Sequence, residues 1–71
     1  MVKETLRRVL RALQGYRAPG AQDLSFIRDE TRDADLIGIL DAINIWLSDT
    51  SNVKACQRCA MELDRYLKRN Y

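Results

Sequence analysis

Histidine is absent from this sequence, which removes the side chain that most often moves protons near neutral pH. Proline occurs once and glycine three times, too little turn chemistry for an all-β chain. Long apolar runs are missing as well, and no stretch approaches the roughly 18 residues of a membrane helix. The opening MVKETLRRVLRALQ has the charge of a secretory leader without its apolar segment, so no leader and no membrane partner are expected. The chain has only two cysteines, Cys56 and Cys59, so a disulfide framework is improbable and a cytoplasmic, thiol-reducing setting is expected. A length of 71 residues leaves room for a single domain over 1–71, not for a two-domain enzyme or a large sheet with crossover helices.

What is present suits a folded helical domain. Apolar residues make up 46% of the chain and charged residues 31%, ordinary proportions for a globular protein. So short a chain buries only about 60% of the surface its unfolded form exposes. Small domains compensate with disulfides, metals or association. With disulfides improbable and no histidine for a metal site, association is the remaining support.

Periodicity predicts a small all-α bundle of three to four amphipathic helices. Val2, Leu6, Val9, Leu10 and Leu13 share one side of a helix over Val2–Gln14, with Lys3, Arg7, Arg8 and Arg11 opposite. Gly15 is the expected left-handed residue after that helix, and GYRAPG at 15–20 reads as a loop. Asp23 or Ser25 could cap a short helix carrying Leu24, Phe26 and Ile27, or this segment could lead into the next. A third helix is expected over about Arg32–Leu47, with Leu36, Ile39, Leu40, Ile43, Trp46 and Leu47 on one stripe. A fourth is expected over about Asn52–Arg69, capped by Thr50 or Ser51, with Val53, Cys56, Ala60, Leu63 and Leu67 inward.

Charge is segregated along the chain. Residues 1–20 carry five basic residues and one acidic, net +4; residues 21–50 are net −5; residues 51–71 are net +3. The total of +2 does not by itself call for a polyanion partner. One explanation is internal complementarity, in which exposed pairs contribute about 0–1 kcal/mol each. The other is functional. If the first and last helices are neighbours, Lys3, Arg7, Arg11, Lys54, Arg58, Arg65, Lys68 and Arg69 form a basic surface for phosphates or an acidic groove. Such a surface reads backbones, not bases. A helix-turn-helix is disfavoured, because the third helix is too apolar to lie in a groove and a long polar turn precedes the fourth.

Cys56 and Cys59 form a CxxC on the inward side of the fourth helix. The structural reading is preferred, since cysteine packs as a small apolar residue. A zinc site needs four ligands, which only two chains together could supply. A redox pair of the thioredoxin kind belongs beside strands, and no strand pattern is visible. No phosphate loop, nucleophile elbow or metal motif occurs. Catalysis, cofactors and metals are accordingly not expected. Asp29, Glu30, Asp33 and Asp35 read as solvated helix starts.

The third helix has more apolar residues than one face can hide. Ile37 and Ile45 lie outside its main stripe, about 80° apart with Asp41 between them. Trp46 borders the stripe, and Met61 and Tyr66 flank that of the fourth helix. Aromatic and apolar residues of this kind mark interaction surfaces. Ile37, Asp41, Ile45, Trp46, Met61 and Tyr66 are thus the candidate protein-binding residues. The expected function is a non-catalytic protein-binding regulator or adaptor, expected to be a homodimer. A nucleic-acid backbone binder using the basic helix faces is the alternative.

Overall fold

The computed structural model describes residues 2–71 and shows a small all-α bundle of four packed helices. They are α1 (Val2–Gln14), α2 (Ala21–Glu30), α3 (Ala34–Leu47) and α4 (Val53–Asn70). α1 packs on α2 and α4, while α3 packs on α4 and only lightly on α2. Leu13, near the end of α1, meets Cys56, near the start of α4. Asp33, just before α3, meets Tyr66, near the end of α4. α4 therefore runs antiparallel to both neighbours.

The inward stripes interlock into one core. Leu6, Val9 and Leu13 of α1, Ile27 of α2, Leu36, Leu40 and Ile43 of α3, and Cys56 and Leu63 of α4 are its most completely buried members. Each large apolar side chain contributes about 1.5–3 kcal/mol by leaving water. Val53, expected on the inner stripe of α4, is instead half exposed. It is the first residue of the helix, where the packing ends.

The helix ends correct several expectations. Gly15 does not take the left-handed conformation; Tyr16 does, with φ 57°. The Gly15 N–H still bonds the Arg11 carbonyl at 3.1 Å, so the helical pattern carries on one residue further. The Tyr16 N–H then bonds the Leu13 carbonyl at 3.0 Å and the Arg17 N–H bonds that of Ala12 at 2.8 Å. Those two bonds are the Schellman arrangement, with its left-handed position filled by tyrosine. α2 is separate from α3 and begins after Gly20, with no side-chain cap; Asp23 and Ser25 lie inside it. Asp23 instead accepts from Arg8 at 3.0 and 3.2 Å, tying α2 to α1.

α3 starts at Ala34, two residues inside the expected range, because Asp33 caps it by accepting the Asp35 N–H at 2.9 Å. α4 is capped by Asn52, not Thr50 or Ser51; its side chain accepts the Ala55 N–H at 3.1 Å. Ser51 is otherwise engaged, donating its hydroxyl to Asp49 at 2.6 Å. Among the described residues, no helix is long and apolar enough to cross a membrane.

Candidate interaction surfaces

The sequence-derived surface residues divide in two when α3 and α4 pack. Ile45 is 74% exposed, the most exposed of the large apolar side chains described, and Met61 is 49% exposed. Ile37 is half-buried. Asp41 is exposed, but Arg28 of α2 holds its carboxylate at 2.7 Å. Trp46 and Tyr66, by contrast, are only 2% and 5% exposed, so neither belongs to the outer surface. The inner stripes of α3 and α4 turn toward each other, and the border positions of each are covered by the other helix.

Trp46 still reaches the surface indirectly. A groove of about 210 Å³ between α3 and α4 has Trp46 and Cys59 in its lining, with Ala42 and Ile45 from α3 and Ala55 from α4. Arg58 and Glu62 of α4 complete the lining with opposite charges. The alanines keep the groove open, and Ile45 stands exposed beside it. The buried Trp46 indole N–H has no acceptor among the described residues. Leaving such a donor unpaired costs about 1–3 kcal/mol.

Toward the far ends of the same two helices lies a more polar hollow of about 300 Å³, lined by Asp35, Ile39, Glu62, Arg65 and Arg69. Beside it the Tyr66 hydroxyl donates to Asp33 at 2.8 Å. This bond, together with the Asp35 N–H, holds the Asp33 carboxyl below its ordinary range. Burial, then the neighbouring carboxylate, pushes the Tyr66 hydroxyl up to about 12. Arg69 lies over the Tyr66 ring, 5.9 Å from its centre, and 3.9 Å from Asp35.

A third opening escaped the sequence reading. Pro19, Leu24, Leu40 and Leu47, with Ser25, Arg28 and Asn44, line a cleft of about 280 Å³ between α2 and α3. Only the tertiary arrangement creates it.

Both cysteines are buried and unpaired. The Cys56 thiol donates to the Leu13 carbonyl at 3.3 Å, and burial pushes it up from its ordinary pKa. Burial does the same to Cys59, helped by Glu62 and Cys56. Both are therefore held as neutral thiols, the opposite of what nucleophilic or redox chemistry needs. Among the described residues, no group of three or more metal-ligating side chains assembles.

The expected basic residues are all exposed and sit on adjacent helices. Lys68 pairs with Asp64 at 3.0 Å and Arg69 approaches Asp35, while Lys3, Arg7, Arg11, Lys54, Arg58 and Arg65 have no ion-pair partner among the described residues. Comparison with protein-family models, curated proteins and solved structures finds no match. Function must therefore be argued from these surfaces.

Proposed function

We propose that this chain is a non-catalytic protein-binding regulator or adaptor that pairs with a second copy of itself through the α3–α4 face. The observation carrying this reading is Ile45, 74% exposed beside a groove lined by Ala42, Trp46, Ala55 and Cys59. A knob and a hole on the same patch suit a two-fold interface, where each copy offers both. Ile45 of each copy enters the groove of the other. Arg58 and Glu62 supply one charge of each sign at the groove, so Arg58 of one copy meets Glu62 of the other. The small core supports the same reading, because association adds the apolar burial that 71 residues supply only sparingly. Buried, reduced thiols suit a cytoplasmic setting.

Sedimentation analysis at tens of micromolar tests this. The wild-type chain sediments as a dimer. Ile45→Asp sediments as a monomer with unchanged helical circular dichroism, since Ile45 contributes little to the fold of one copy. A wild-type monomer at 100 µM, or an Ile45→Asp dimer, overturns the reading.

A further inference from the structure

From the six cations with no ion-pair partner among the described residues we infer a second binding site, a two-helix basic band on the outer faces of α1 and α4 that takes the phosphate backbone of a nucleic-acid duplex. It shares Arg58 with the groove beside Ile45, its other five cations lie outside that groove, and it does not rest on the pairing proposed above.

Two ties fix how the band is assembled. The Cys56 thiol bonds the Leu13 carbonyl, and Gln57 donates to the Tyr16 hydroxyl at 3.0 Å, so α4 lies alongside α1. Arg8 faces α2 through Asp23. At 100° per residue, Lys3, Arg7 and Arg11 then lie between the solvent side of α1 and its α4 flank. They are spaced four residues apart, about 6 Å per step along the helix. On α4, Lys54, Arg58 and Arg65 occupy the face opposite the buried Cys56 and Leu63, with Arg58 and Arg65 toward its α3 border, where they line the two α3–α4 hollows. Two rows of three cations result, on helices whose axes pack roughly 8–10 Å apart.

Internal complementarity does not account for this band. If the basic helices existed to neutralise the acidic middle of the chain, their cations would pair with it. Among the described residues, only Arg8 and Arg69 reach across from α1 and α4, to Asp23 and Asp35. α1 and α4 each carry net +3 against net −2 on each of α2 and α3, so positive charge is concentrated on the α1–α4 half, which can meet a polyanion.

The chemistry favours a duplex over the other polyanions. A membrane surface is answered by a row of apolar side chains beside the cations, but here the large apolar residues of α1 and α4 are spent on the core except for the half-exposed Met61 and Val53. A single strand calls for aromatic platforms among the cations, and neither row contains one. Rigid rows of Lys and Arg contact backbone phosphates without reading bases.

Fluorescence anisotropy with a labelled 20-base-pair duplex tests the site. Six phosphate contacts give a slope of log affinity on log salt of about −5, a loss of roughly a thousandfold between 50 and 200 mM. Combined Arg7→Glu, Arg11→Glu and Lys54→Glu abolishes binding, and Arg32→Glu, on the acidic side, leaves it intact. Should the triple variant lose its helical signal, Lys54→Gln and Arg65→Gln serve instead, each reducing the slope by about one. Ile45→Asp binds duplex at wild-type affinity per chain, which separates this site from the pairing surface. The proposal fails if duplex does not bind at 50 mM salt and 100 µM protein. It also fails if Arg32→Glu weakens binding as much as the triple variant does. Tighter binding to a single strand, or binding to phosphatidylserine vesicles without binding to duplex, overturns it equally.

Discussion

The α1–α4 half and the α2–α3 half are built from the same helical material, yet they close to different degrees. α1 and α4, of 13 and 18 residues, have clean apolar stripes and charged outer faces, and they pack closely. α2 has 10 residues, buries only Leu24 and Ile27, and leaves a cleft against α3. The first pair is basic and the second acidic. Closure follows the number of apolar residues each helix can commit to a shared seam: α1 brings four buried apolar side chains and α2 two.

Core truncation in the two halves is the strongest way to break this contrast. Leu63→Ala, at the buried centre of α4, is expected to cost about 3–4 kcal/mol in urea melts, within the range for leucine cavities. Leu24→Ala is expected to cost about 2 kcal/mol, because Leu24 already borders the α2–α3 cleft and leaves a smaller new void. Equal losses would show that α2 is as firmly seated as α4.

The join between α3 and α4 offers a subtler test through pH. Asp33 has a lowered folded-state pKa, so its contribution is present above the ordinary carboxylate range and disappears as pH falls through the folded value. Tyr66 has a raised one, so its neutral form favours folding and stability declines from about pH 10 toward 12. Tyr66→Phe removes the shared hydrogen bond, lowers stability at pH 7 and flattens both limbs. Urea midpoints from pH 2 to 12 check this; unchanged limbs would mean the bond contributes nothing.

The smallest effect belongs to the end of α1. Tyr16 holds a left-handed conformation that glycine adopts without penalty. Tyr16→Gly is expected to stabilise the chain by about 1 kcal/mol, less whatever the exposed bond to Gln57 contributes. A thermal midpoint that falls would show that the Gln57 contact outweighs the strain.

Legibility followed the same division. Where apolar residues recur at helical spacing opposite charges, as in α1, the sequence located the helix to its ends. The caps were harder, because several neighbouring residues are chemically able to serve and local geometry chooses among them. Asn52 capped α4 ahead of Thr50 and Ser51, and Tyr16 rather than Gly15 turned left-handed. On the candidate surfaces, the cations and Ile45 were legible because exposure needs no partner. Trp46 and Tyr66 were misplaced because a border residue on a helical wheel is buried or exposed according to which neighbour leans over it. The α2–α3 cleft had no local signature at all, since it arises from what α2 fails to fill.

Trp46 is the sole tryptophan of the chain. It lies in the lining of the α3–α4 groove, buried, its indole nitrogen without a partner among the described residues. The molecule thus carries a built-in optical gauge. Emission from that one ring shifts to the red when the bundle melts, and it responds when something settles over the groove, with no dye attached.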